Sequence, residues 1–121
     1  MPLLGFKKQF APLVESGAKR QTIRAKRRDG RNPHPGDTLY LYTGLRTKQC
    51  RKIGTAICTD VREVVIAGNW PILSGRHLLM AEANDLAIKD GFSGYEAMTT
   101  FFEKEHGLPF WGLLIEWGEI A

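Results

Sequence analysis

The sequence predicts an α+β fold, a small, curved or closed mixed sheet flanked by about three helices. Three observations carry this expectation. Apolar residues alternate over several short segments, the period of a half-buried strand. Most of those segments follow one another without an intervening helix, unlike the order of a doubly wound parallel sheet. Three other segments repeat apolar residues at helical spacing and end at a glycine. At 121 residues the chain forms one domain, residues 1–121, long enough for a single core.

Pro2 to Phe6 reads as a short strand. Residues 7–16 read as a helix, because Phe10, Leu13 and Val14 fall at i, i+3 and i+4 and Gly17 stands just past the end. Lys19 to Arg24 is a short strand that is polar on both faces. Alternation sets Arg20, Thr22 and Arg24 on one face and Lys19, Gln21 and Ile23 on the other. Such a strand builds little core, so its polar side chains are expected to border a ligand. Residues 25–37 combine prolines, glycines and bases and read as an exposed, mobile loop.

Thr38 to Thr43 alternates Leu39 and Leu41 against Tyr40 and Tyr42, a strand covered on both faces. Arg51 to Ala67 is one or two β elements, with Gly54 marking a bulge or a close backbone approach. Gly68-Asn69-Trp70-Pro71 is a turn, and Ile72 to Leu79 a short strand. Ala81 to Lys89 is a helix with Ala83, Leu86 and Ala87 inward, stopped by Asp90-Gly91. Ser93 and Glu96 have the spacing of a capping box. The helix they open carries Met98, Phe101 and Phe102 on one face and ends at His106-Gly107. Phe110 to Trp117 is the last strand, with Trp111 and Trp117 expected inside.

Composition excludes some classes. No apolar run approaches the roughly 18–20 residues that span a bilayer, so no membrane partner is expected. Met1 to Phe6 is too short for a signal peptide, and the expected location is cytoplasmic. Cys50 and Cys58 lack metal or redox spacing and are expected to be reduced and structural. His34, His77 and His106 are scattered, and no acidic cluster suits Mg²⁺, so neither a metal nor another cofactor is expected.

The formal net charge is +4, but it is unevenly spread. Residues 1–52 hold 13 of the 17 Lys and Arg and only 3 of the 13 acids. An electropositive half suits a phosphate-bearing partner, RNA or a nucleotide. Arg20 and Arg24 on the polar strand and Lys26, Arg27, Arg28 and Arg31 in the loop are the candidate contacts. Tyr40, Tyr42 and Trp70 are candidates for stacking on a base.

Gly17-x-Lys19-x-x-Thr22-Ile23-Arg24, then Pro35-Gly36-Asp37, Thr43-Gly44 and Asp90-Gly91-Phe92, form an ordered pattern. It resembles the ASCH family of the PUA-like superfamily, from about Phe6 to Trp117. The resemblance implies a PUA-like mixed β-barrel flanked by helices. It also implies an RNA or modified-nucleoside partner and a cleft lined by the Lys-Thr-Arg strand. One branch of that family hydrolyses N4-acetylcytidine to cytidine and acetate with a lysine, a threonine and a later carboxylate. Carried over, these fall on Lys19, Thr22 and Asp90, with Glu82 or Asp85 as alternatives for the carboxylate. The amidohydrolases have a glutamate there, and aspartate is one methylene shorter. The loop after Arg24 is also longer and more basic than theirs. Other members resemble RNA binders or have been assigned nuclease activity.

Amide hydrolysis needs a nucleophile, a proton shuttle and stabilisation of an oxyanion. Thr22 is the candidate nucleophile, or the holder of an attacking water. Lys19 serves as base only where desolvation or nearby cations lower its pKa. Asp90 orients water or returns a proton, and Arg24 stabilises the oxyanion or pairs with a carboxylate. Two functions of different class are thus expected. One is an amidohydrolase acting on an N4-acylated cytosine derivative. The other is a non-catalytic RNA-binding module that uses the basic loop at 24–31.

Overall fold

The strand β4 (Arg51–Ile66) organises the molecule, whose computed structural model describes residues 2–68 and 70–121. Its 16 residues serve three neighbours. The first part pairs antiparallel with β3 (Thr38–Thr43), and the second part pairs antiparallel with β7 (Phe110–Trp117). Val64 and Val65 also pair with β5 (Ile72–Leu73), which turns back as β6 (Arg76–His77). β1 (Leu3–Phe6) adds to β3 in parallel, and β2 (Gln21–Arg24) adds to β7 antiparallel. The result is a mixed seven-stranded sheet with three helices, α1 (Ala11–Ser16), α2 (Met80–Lys89) and α3 (Tyr95–His106). The predicted α+β class holds.

The barrel that the family resemblance implies is not closed. Among the described residues β1 pairs only with β3 and β2 only with β7, so both are sheet edges. Arginine side chains span the seam instead of a backbone ladder. Arg24 Nη2 donates to the Gly5 carbonyl at 2.6 Å, and Arg27 Nη2 donates to the Leu3 carbonyl at 3.2 Å. These bonds satisfy two carbonyls of an otherwise open edge.

Alternation along β7 builds two cores rather than one. Leu113, Ile115 and Trp117 join Leu4, Phe6, Phe10, Val14, Leu39 and Leu41 on one face. Phe110 and Leu114 join Ile23, Val64, Ile66 and the inward residues of α2 and α3 on the other. Phe92 and Phe101 pack against both clusters.

The chain departs from the sequence expectation at several places, each for a local reason. Residues 7–10 are a hydrogen-bonded turn, with Phe10 N–H donating to the Lys7 carbonyl, and the helix proper begins at Ala11. β4 is continuous, with register shifts opposite Leu41/Tyr42 and at Cys58/Asp60 that let one strand bend through two pairings. A Cβ on Gly54 would lie 2.4 Å from Ile120, so this glycine admits the C-terminal segment, the close approach its position predicted. The predicted strand 72–79 is a two-residue hairpin, because Ser74 and Gly75 both take positive φ, 51° and 80°. The capping box at Ser93 is not formed. Gly94 is the N-cap, and Asn84 Oδ1 of α2 accepts the Tyr95 N–H at 2.9 Å instead. Asn69, within the predicted turn at 68–71, lies outside the described residues. Of the two cysteines, Cys58 is buried and Cys50 exposed, and they are not bonded to each other. Among the described residues no helix is long and apolar enough to cross a membrane.

Candidate active site at the seam between β1 and β2

α1 ends at Gly17, whose φ of 84° only glycine adopts readily, and the chain turns back toward the sheet. Lys19 comes before the β2 ladder begins. Its backbone N–H donates to Leu13 rather than to a strand, so strand alternation does not govern its side chain. The lysine therefore points into the same cavity as Thr22 and Arg24 and not to the opposite face, as the sequence pattern had it. At the other end, α2 stops at Asp90, whose N–H caps the helix, and Gly91 follows with φ 99°. That turn carries the Asp90 side chain inward.

The four groups share a cavity of about 220 Å³. Phe6, Phe10, Phe92, Phe101 and Phe102 form its apolar wall. Lys19 is 3% exposed and Asp90 4%, among the most deeply buried charged side chains of the molecule. Lys19 Nζ donates to the Asp90 backbone carbonyl at 2.5 Å and stands 3.4 Å from its Oδ1. Gln21 Nε2 donates to the same Oδ1 at 3.1 Å and to the Leu86 carbonyl at 3.2 Å, fixing the carboxylate against α2. Arg24 Nε donates to Thr22 Oγ1 at 2.9 Å. The threonine thus accepts from a cation and keeps its own proton to give. Lys19 lies 5.0 Å from the Phe10 ring centroid, and Arg24 lies 5.0 Å from that of Phe6.

Burial dominates the electrostatics. It pulls the Lys19 pKa down, against the pull of Asp90, and nearby Arg24 adds to the lowering. It pushes the Asp90 carboxyl up, against Lys19, Gln21 and Arg24. Each direction disfavours the charged form of its own group. A lysine in its neutral form accepts a proton, and a protonated aspartate donates one.

The other residues singled out from sequence lie elsewhere. Arg20 is exposed and borders a groove with Gly17, Lys89 and Glu116, away from the cavity. Lys26 pairs with Glu63 at 2.6 Å, Arg27 holds the Leu3 carbonyl, and Arg28 and Arg31 are exposed in the loop. Tyr42 is half-buried on the side of β3 opposite Leu41 and Thr43 and does not line the cavity. Of the alternative carboxylates, Glu82 is held by Arg76 and by the Leu79 N–H, with its pKa pulled down to about 2. Asp85 pairs with Lys89. Asp90 is the carboxylate that reaches the cavity.

Gln21 and the phenylalanine wall were not foreseen as parts of the site. Their signal was present in the five phenylalanines at 6, 10, 92, 101 and 102, which flank the polar strand and Asp90 in sequence. A larger groove of about 820 Å³ adjoins the cavity through Gly5, Phe6 and Lys7. Its charged groups, Lys7, Lys8, Glu15 and Arg51, are exposed, so it lacks the desolvation that perturbs Lys19 and Asp90. No protein-family model, curated protein or solved structure matches this chain.

Proposed function

We propose that this chain is a small amidohydrolase that removes the acyl group from an N4-acylated cytosine, as in N4-acetylcytidine. We also propose that its fold is an opened member of the PUA-like architecture, of the ASCH type that the Lys19-x-x-Thr22-x-Arg24 pattern resembles. The observation that carries the reading is the convergence of Lys19, Thr22, Arg24 and Asp90 on one small, phenylalanine-walled cavity. A base-sized aromatic ring suits such walls, and about 220 Å³ suits a single-ring base with a short acyl group.

The geometry supports the following chemistry. The neutral Lys19 amine takes a proton from the attacking oxygen, either the Thr22 hydroxyl or a water that Thr22 holds. That oxygen bonds to the acyl carbon, and the carbonyl electrons move to its oxygen. The Arg24 guanidinium stabilises the resulting oxyanion. The carbonyl reforms as the bond from the acyl carbon to N4 breaks, and Asp90 gives N4 the proton that the leaving amine needs. Lys19 then passes its proton to Asp90, 3.4 Å away, which returns both groups to their starting forms; if Thr22 attacked, a water repeats the sequence on the acyl-threonine, and Asp90 protonates the departing Thr22 oxygen. Either way one water is consumed, and one cytidine and one acetate are released.

The test is turnover of N4-acetylcytidine by wild type, Thr22→Ser and Thr22→Ala. The serine variant keeps the hydroxyl and retains activity within about tenfold, whereas alanine loses about 100-fold or more. Equal turnover by all three removes Thr22 from the mechanism.

A further inference from the structure

Gln21 opens β2 and shares a strand face with Ile23, which packs in the cluster that α2 and α3 build. It is 5% exposed, so its amide needs partners within the protein. It lines no part of the cavity that holds Lys19, Thr22, Arg24 and Asp90. It reaches Asp90 from outside that cavity.

The Leu86 carbonyl decides which end of the amide faces the carboxyl group. A carbonyl oxygen only accepts, so the Gln21 nitrogen is the end that lies toward it, at 3.2 Å. The same nitrogen stands 3.1 Å from Asp90 Oδ1. The Leu86 carbonyl also accepts the Asp90 N–H at 3.1 Å, where α2 ends. Gln21 thus ties the Asp90 side chain to the helix end that the Asp90 backbone closes. Lys19 Nζ, held on the Asp90 carbonyl at 2.5 Å, stands 3.4 Å from the same Oδ1. The last torsion of an aspartate is soft, and turning it would carry Oδ1 away from Lys19. The bond from Gln21 opposes that turn.

We infer that Gln21 is a positioning residue, which holds Asp90 Oδ1 toward Lys19 and so sets the path by which the two exchange a proton in each turnover. The inference rests on the reading of the cleft as an amidohydrolase site. Because Gln21 is not part of the cavity wall, its loss acts on kcat and leaves KM little changed. The charged and titratable groups around it are Lys19, Arg24, Lys7 and His106 on the cavity side and Arg20, Lys89 and Glu116 on the other. All are kept in the test variants, so a pH effect confined to one variant belongs to position 21.

The test measures kcat and KM for N4-acetylcytidine from about pH 8 to about pH 5 in wild type, Gln21→Met and Gln21→Glu. The folded fraction of each is measured at each pH. Gln21→Met matches the length and gives no hydrogen bond, and its kcat is expected to fall about tenfold to 100-fold. The carboxylate of Gln21→Glu has no hydrogen to give, and its protonated form regains one. Burial beside Asp90 raises that carboxyl, so the kcat deficit of Gln21→Glu relative to wild type is expected to shrink as pH falls. The deficit of Gln21→Met is not. If Gln21→Met does not fold, the pH dependence of Gln21→Glu carries the test. An active wild type with an equally active Gln21→Met overturns this inference alone, as does a Gln21→Glu deficit that is the same at every pH. A wild type that releases no cytidine overturns the reading of the cleft, and this inference with it.

Discussion

Arg24 on β2 donates to the Gly5 carbonyl on β1 at 2.6 Å, and so joins two strands that share no backbone ladder. The same guanidinium donates to Thr22 Oγ1. One side chain therefore holds the sheet's seam and positions a hydroxyl in the cavity. Losing it should cost both stability and turnover. Arg24→Lys is expected to lower unfolding free energy by about 2 kcal/mol, the range for a charge-assisted hydrogen bond. Arg27→Ala, which removes the longer and exposed bond to Leu3, is expected to cost under about 0.5 kcal/mol. Urea denaturation of the two variants checks the contrast, and equal losses would show that Arg24 has no special place in the seam.

Breaking the buried pair from one side leaves a buried ionisable group without its partner. Lys19→Met is expected to cost about 3 kcal/mol at neutral pH. The sign of its pH dependence follows from Asp90. A carboxyl whose folded pKa is raised contributes stability that is fully present below its unfolded value, near 3.8, and is lost as pH rises through the folded value. Without Lys19, the main influence opposing that rise is gone. The deficit of Lys19→Met relative to wild type is thus expected to shrink as pH falls from 7 toward 4. A deficit that is constant or grows toward acid would contradict the burial of Asp90.

Gly91 delivers Asp90 to the site, and its backbone and its space both require glycine. Its φ is 99°, and a Cβ there would meet Phe10 Cδ1 at 3.1 Å. Gly91→Ala is expected to lose about 1–2 kcal/mol in stability and to lower turnover by shifting the carboxylate. A stable, fully active Gly91→Ala would mean that Asp90 does not depend on this turn.

Much of the fold was legible in the sequence. Helix ends at Gly17 and Gly107, the inward stripe Ala83, Leu86 and Ala87, and the close approach at Gly54 all follow from local chemistry. The site was legible in part. Lys19, Thr22, Arg24 and Asp90 were all singled out, and the structure brings them to one cavity, but period-two alternation set Lys19 on the face opposite Thr22 and Arg24, because the ladder stops short of it and a bond to Leu13 turns the chain. The polar strand was expected to build little core. It is buried, because Gln21 and Thr22 find partners in Asp90, Leu86 and Arg24. The open seam was not legible, since whether β1 and β2 meet depends on the curvature of β4 rather than on their own residues. Trp111 was read as packed but is 70% exposed, because alternation gives the face of a strand but not where the cover over that face ends.

A buried lysine beside a buried aspartate costs stability that well-packed neutral side chains of similar size would not. In this account the pair persists for its chemistry, and the two properties should separate on substitution. The decisive measurement compares wild type with Lys19→Met/Asp90→Asn for unfolding free energy and for release of cytidine from N4-acetylcytidine. The account predicts a double variant at least as stable as wild type at neutral pH, by up to about 1–4 kcal/mol, and without turnover. A wild type that releases no cytidine, or a double variant that releases it as fast as wild type, would contradict it.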